Sequence, residues 1–443
     1  MPVTRSLPRP RVRPRGSLLV LTATTLAATF LGPAGTASAA GTHGDAGRPV
    51  AAGAADRAAS GVSSVEYHLG ERAFTVPNTG GARAELTGVV HYPTDLGTGP
   101  RPVVVILHGL WWSCADQAAW TAGQKAQQAG DEQEADKQLH FLSQWPCRPG
   151  AGAMESYRGF DYLGEQLARQ GFVTISISAD GLNAVDPSGA DGDAARTALI
   201  NAHLAMWARL AATGTGPLAG HFTRTGTGQA VSVDFRGRLD MTDVGTLGHS
   251  RGGRAVQWQA SNANRGDWPQ GVAIRAVLPL AAVDPAIDGT PEQSLTAPDI
   301  PFISTFGTCD RGGFSSTKEG DVYYTEAGAR PERSATIRTL HLIGGNHNFF
   351  NTRWSPSSGL PAAADDAEHD GPAGTCVSDA DGTTDIPQLT ETAERRALAT
   401  YATAFFQRYL NDDRSSDRVL NGTVRPLGPA IPVEIATTRP SGR

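Results

Sequence analysis

The sequence predicts an α/β fold, a mainly parallel sheet covered by helices on both faces with a lid-like insertion. Three observations carry this expectation. Continuous apolar runs recur, the clearest being Val103-Val104-Val105-Ile106-Leu107, of the kind found in strands buried on both faces. Between the runs, apolar residues repeat at helical spacing, and strand patterns alternate with helix patterns as crossover connections require. One junction also has a special composition. Val244-Gly245-Thr246-Leu247 leads through Gly248-His249-Ser250-Arg251-Gly252-Gly253 into a helical segment, Arg254-Ala255-Val256-Gln257-Trp258-Gln259-Ala260.

In chain order, residues 65–76 and 84–92 alternate apolar and polar side chains, as antiparallel strands at a sheet edge do. The run 103–107 is a central strand ending in His108-Gly109-Leu110-Trp111-Trp112. Residues 113–153 break the alternation with a polar segment rich in Gln, Ala and Asp, expected to form an insertion above the sheet. Phe160, Leu163 and Leu167 mark a helix that Gly171 can terminate. Residues 172–178 form a strand leading into Ala179-Asp180-Gly181. A long helix then carries Leu199, His203, Met206 and Leu210 on one stripe, where His203 is expected to be a packed core residue. After the junction at Ser250, strands are expected at 274–280, 302–306 and 336–343. The last helix carries Leu398, Tyr401, Phe405 and Tyr409.

The N-terminus reads as an export signal. Arg5, Arg9, Arg11, Arg13 and Arg15 precede the apolar stretch from Ser17 to Leu31, and Ala37-Ser38-Ala39-Ala40 offers small residues for cleavage. Residues 1–40 are therefore expected to be a signal peptide and 41–60 a flexible linker or pro-segment. One domain should span 61–415, with 113–153 as its insertion, and 416–443 should be a tail. Removing 1–40 leaves 33 basic against 44 acidic residues, a net −11. That balance disfavours nucleic acid or an anionic membrane surface as a partner. The four cysteines of an exported chain suggest two disulfides. Three pairings are open, and the favoured one joins Cys114 to Cys147 and Cys309 to Cys376, closing each loop within one region. A zinc site is the rival use of these cysteines, but no paired Cys/His spacing supports it. A secreted monomer without a stable membrane anchor, metal or cofactor is expected.

A serine with glycine two residues to either side, between strand and helix, fits the nucleophile elbow. Side chains at the flanking positions would collide with the neighbouring strand and helix, while the sharp turn lifts the hydroxyl above the sheet. A serine hydroxyl needs a base, and the base needs an acid to orient it. His347, in Gly344-Gly345-Asn346-His347, and Asp310, in Gly307-Thr308-Cys309-Asp310, both follow expected strands. Asp284 is the rival acid, and His341 and His369 are rival bases. His341 alternates within a strand, and His369 sits in an acidic loop. His249 is expected to pack. Backbone amides of Leu110 and Arg251 would receive the developing oxyanion, with Gly109 an alternative to Leu110. Trp111 and Trp112 fall beside this cleft as candidate substrate contacts. The acidic residues of 361–385 do not match a calcium-binding EF-hand loop and are expected to be solvated.

His108-Gly109, Gly248-His249-Ser250-Arg251-Gly252-Gly253, Gly307-Thr308-Cys309-Asp310 and Asn346-His347 together resemble a secreted α/β-hydrolase. The likeness is to the serine esterase/lipase type that includes cutinase-like and platelet-activating-factor acetylhydrolase-like proteins, and it covers about residues 85 to 410. It implies the α/β-hydrolase fold and hydrolysis of a small-molecule or polymeric carboxylic ester, with Ser250 as nucleophile, His347 as base and Asp310 as acid. The insertion 113–153 and the long loops after His347 depart from the pattern and bear on the substrate pocket. A peptidase, an acyltransferase or a catalytically silent extracellular binding protein remains the alternative.

Overall fold

The computed structural model of the chain describes residues 61–290, 295–310, 321–363, 372–377 and 382–440. The expected signal and linker (1–60), together with His369 and most of the acidic loop around it, lie outside the described residues.

Fourteen strands and nine helices are described. The strands are β1 (Val62–His68), β2 (Phe74–Thr75), β3 (Arg83–Ala84), β4 (Thr87–Pro93), β5 (Arg101–Leu107), β6 (Val173–Ile177), β7 (Phe222–Arg224), β8 (Leu239–His249), β9 (Ile274–Leu280), β10 (Phe302–Gly307), β11 (Ile337–Leu342), β12 (Thr375–Val377), β13 (Asp385–Pro387) and β14 (Val433–Thr438). The helices are α1 (Gln117–Gln128), α2 (Glu132–Ser143), α3 (Asp161–Arg169), α4 (Asp180–Val185), α5 (Gly189–Thr213), α6 (Arg251–Ala260), α7 (Val322–Gly328), α8 (Glu391–Leu410) and α9 (Asp417–Leu420).

Ten of the strands form one sheet in the order β14-β11-β10-β9-β8-β5-β6-β4-β1-β7. The central six, β11 to β6, run parallel, while β4, β1 and β7 at one edge and β14 at the other pair antiparallel. The β-branched run in β5 shows why the centre is parallel and covered twice. Val103, Val105 and Leu107 enter one core with Leu199, Leu204 and Trp207 of α5 and Val256 of α6. Val104 and Ile106 enter the other with Leu163 and Leu167 of α3 and Leu398, Phe405 and Phe406 of α8. Side chains alternate across a strand, so an uninterrupted apolar run supplies both cores at once. Each such fully buried aliphatic or aromatic side chain contributes about 1.5–3 kcal/mol.

Some elements differ from their sequence expectation for local reasons. The alternating stretch 65–76 is not one strand. β1 ends at His68, the chain turns through Gly70 at φ 123°, and β2 and β3 form a separate small hairpin. β8 begins earlier than its apolar core, because Asp240 and Thr242 lie where the strand emerges to solvent. The stretch after 415 carries α9 and β14, and β14 pairs with β11 from Leu342↔Val433 to Ile337↔Thr438.

Residues 113–153 contain the helical hairpin of α1 and α2. Asp116 and Asp131 cap the two helices, accepting from the amides of Ala119 (2.9 Å) and Glu134 (3.1 Å). Disulfide Cys114–Cys147 closes the base of the hairpin, and Cys309–Cys376 is the second bridge, so all four cysteines are paired. Two disulfides fit a chain that passes through an oxidising compartment. Among the described residues, no helix is long and apolar enough to cross a membrane.

Helix α6 is bolted to α5 by a buried ion pair. Arg254 Nε and Nη2 donate to Asp193 Oδ1 and Oδ2 at 3.1 and 2.7 Å, and Arg254 Nη2 also reaches Thr290 Oγ1 at 3.0 Å. Removing one partner strands a buried charge. Asp193→Ala is therefore expected to destabilise the fold by about 3–5 kcal/mol in urea unfolding, and a loss below about 1 kcal/mol would contradict this account.

Candidate active site

Ser250 ends β8 and opens α6 with its backbone at φ 55° and ψ −120°, a region that L-residues avoid. Its surroundings hold it there. The Ser250 amide donates to Leu280 O (2.8 Å), and its carbonyl accepts from the amides of Gly253 (2.8 Å) and Arg254 (3.2 Å). The glycines are steric necessities. A methyl at Gly248 would lie 2.0 Å from Gly252 O, and one at Gly252 would lie 2.5 Å from Leu107 O.

The segment after β5 passes directly against the serine. A methyl on Gly109 would stand 2.6 Å from Ser250 Cβ and 3.3 Å from its Oγ. Leu110 follows Gly109, and Arg251 is the first residue of α6, where a helix leaves its amides without an acceptor of its own. The His108 ring braces this turn. It is fully buried, and burial pushes its pKa down to about 3, so it is neutral. Its Nδ1 donates to Gly109 O (2.9 Å) and its Nε2 accepts from the Ala179 amide (2.8 Å), which fixes the tautomer.

Asp310 and His347 leave the ends of neighbouring parallel strands, β10 and β11, and meet. His347 Nδ1 lies 2.8 Å from Asp310 Oδ2. A carboxylate only accepts, so Nδ1 is the donor of this pair. The two turns are knit together upstream. Thr308 N–H reaches Leu342 O (3.0 Å), Cys309 N–H reaches Gly345 O (2.9 Å), and Gly344 N–H reaches Thr308 Oγ1 (2.9 Å). Gly307 and Gly345 touch so closely that a methyl on the former would sit 2.1 Å from the carbonyl oxygen of the latter. The Cys309–Cys376 bridge sits beside Asp310, and buried Glu394 of α8 accepts from the Asn346 amide (2.7 Å).

The His347 loop crosses back to the serine through His249. The two imidazoles lie 4.9 Å apart between centroids, and His249 Nε2 donates to His347 O at 2.8 Å. Burial drives the His249 pKa well down, so it is a neutral brace. Sequence reasoning expected only packing from it. Ser250, Gly109, Asp310 and His347 thus gather at the C-terminal ends of the parallel strands, where open α/β sheets place their sites.

Two of the rival residues, Asp284 and His341, are engaged elsewhere. Asp284 accepts from the Ala286 amide (2.7 Å) as a helix cap. His341 faces Asp321 (3.1 Å) and Phe306. His203 is buried against the Tyr67 hydroxyl at 2.7 Å, with its pKa lowered to about 3 by burial. Trp111 and Trp112 are half-buried and form an aromatic row. Trp111 contacts Trp112 (6.0 Å) and Trp354 (5.9 Å), and Trp112 contacts Trp120 of the hairpin (6.1 Å). Trp354, buried against His249 at 5.1 Å, joins this row to the elbow, and no local sequence signal marks it.

Two buried carboxyls lie behind His108. Glu85 accepts from Ser178 Oγ (2.6 Å) and the Gly181 amide (3.0 Å), while Asp180 Oδ1 lies 3.6 Å from His108 Nε2. Burial raises the pKa of both, and the charge of Glu85 raises that of Asp180 further. At pH values above the ordinary carboxylate range the folded chain therefore holds a proton that the unfolded chain has released. This contribution to stability is full below about pH 4 and is lost as pH rises through the raised values. Asp180→Asn cannot ionise, so its Tm is expected to fall less than that of the wild type between about pH 4.5 and 8. Parallel Tm curves would contradict the assignment.

No protein-family model and no curated protein matches the chain, so the functional reading rests on the chemistry of these residues.

Proposed function

We propose that the chain is an exported serine hydrolase of the α/β-hydrolase type that cleaves carboxylic esters through an acyl-enzyme. The observation that carries this reading is a serine strained at a strand-to-helix turn whose neighbouring residue, His249, braces a histidine paired at 2.8 Å with a buried aspartate. Strain of this kind is kept where the surrounding structure over-determines it, and such places are commonly active sites.

In the proposed sequence, Ser250 Oγ attacks the ester carbonyl carbon while His347 Nε2 takes the hydroxyl proton. Asp310 holds Nδ1–H and stabilises the imidazolium without itself being protonated. The oxygen of the tetrahedral intermediate becomes an alkoxide between the amides of Leu110 and Arg251, in a setting where one such donor is worth about 3 kcal/mol. Collapse breaks the bond to the alkoxy oxygen, and His347 returns the proton to the departing alcohol. Water then attacks the acyl-enzyme, His347 takes its proton, and the acid leaves as Ser250 Oγ is reprotonated. Trp111 and Trp112 offer an apolar, flat surface for the acyl or alcohol portion of a small or polymeric ester.

Ser250→Ala is expected to lower kcat on a short p-nitrophenyl ester by about 10⁵-fold or more while the far-ultraviolet spectrum and Tm persist. Asp310→Asn is expected to lose about 10³–10⁴-fold through the wrong His347 tautomer. Undiminished turnover in Ser250→Ala excludes the reading. Parallel assays with amides and with alcohol acceptors distinguish a peptidase or an acyltransferase using the same residues.

A further inference from the structure

The peptide between Gly109 and Leu110 is held by two donors. One is His108 Nδ1. The other is the side chain of Asn183, on α4, whose Nδ2 donates to Gly109 O at 2.9 Å. The Asn183 amide orientation follows from its partners, because its Oδ1 accepts from Arg196 Nη2 (3.0 Å) and a guanidinium only donates. Arg196 is 1% exposed, and Asn183 is 5% exposed. Arg196 Nη2 also lies 3.6 Å from Asp186 Oδ1, and the same Asp186 oxygen accepts from Arg251 Nη1. Arg251 directly follows the elbow serine. A single chain of polar contacts therefore runs from Gly109 O through Asn183, Arg196 and Asp186 to Arg251.

Its geometric consequence is specific. A peptide unit is planar and trans, so the Gly109 carbonyl and the Leu110 N–H point in opposite directions. Clamping the carbonyl from behind fixes the direction of the amide in front. At the other end, the Arg251 side chain is tied by Asp186, which occupies a left-handed conformation (φ 41°) at the end of α4. Burial pulls the Arg196 pKa down to about 10, so the middle link stays charged at neutral pH.

We propose that Asn183 and Asp186 are positioning residues that hold the Leu110 and Arg251 amides in register as one oxyanion site. This rests on the serine-hydrolase reading. Neither residue touches the reacting atoms. Their contribution is to hold the two amides at the spacing that the tetrahedral intermediate needs, which a flexible loop and an untied helix end would not keep.

The test compares Asn183→Leu, Asp186→Ala and the double variant with the wild type, using a p-nitrophenyl ester and inhibition by phenylboronic acid, whose serine adduct is tetrahedral. Asn183→Leu is expected to lower kcat about 10- to 100-fold with KM changed less than about twofold, somewhat less than loss of an oxyanion donor itself. The boronate inhibition constant should rise by a similar factor, whereas a merely structural role would not link the two. Asp186→Ala should lose about tenfold, Asp186→Asn should recover part of that, and the double variant should lose less than the product of the singles. Folded Asn183→Leu with kcat within about twofold of wild type, or with unchanged boronate affinity, overturns the proposal and leaves the esterase reading standing. If Asn183→Leu does not fold, the half-exposed Asp186 variants decide the matter by the same two readouts. A wild type without Ser250-dependent hydrolysis overturns both.

Discussion

One backbone conformation governs the layout of this molecule. Ser250 is held at positive φ, at a cost of order 1–3 kcal/mol, and the turn exists only because Gly248 and Gly252 let backbone touch backbone. The strain is offset by what surrounds it. β8 lies in the middle of the sheet between β5 and β9, with apolar cores on both faces, and α6 is tied to α5 by the Arg254–Asp193 pair. A turn of this kind at a frayed sheet edge would relax. In the centre of a doubly covered parallel sheet it cannot.

The sheet delivers the segments around the serine at matching heights. Gly307 of β10 pairs with Leu342 of β11, so Asp310 and His347 leave adjacent strands at the same level. β5 pairs with β8 on the other side, Leu107 against Gly248, so Gly109 arrives beside Ser250. The loop that carries His347 is braced from two sides. His249 holds the His347 carbonyl, Glu394 holds the Asn346 amide, and the disulfide at Cys309 anchors the chain beside Asp310. Neutral histidines serve as braces here because burial removes their charge while leaving one donor and one acceptor on each ring.

Much of this was legible in the sequence because it is local. The β-branched run in β5, the 274–280 strand and the glycines around Ser250 each follow from short-range sterics or periodicity, and the structure places them accordingly. The pairing of Asp310 with His347 was legible only as an order along the chain, and the disulfide pairs only as the shorter loop closures. What stayed hidden is long-range. Asn183 meets Gly109 across 74 residues, and Trp354 meets Ser156 across 198, with nothing in either local stretch to announce the contact. β14 was missed for a different reason. It is an edge strand with few buried side chains, so Val433–Thr438 lacks the apolar pattern of a central strand.

In the proposed hydrolase, the hydroxyl at 250, the imidazole at 347 and the amides at 110 and 251 would surround one reacting carbon. The most direct measurement is a crystal structure of the protein after treatment with an alkyl fluorophosphonate. Such a structure is expected to show a phosphonyl group bonded to Ser250 Oγ, with its free oxygen about 2.7–3.1 Å from the amides of Leu110 and Arg251 and His347 Nε2 facing the Oγ. An unmodified Ser250, or an adduct whose oxygen points away from both amides, would contradict it.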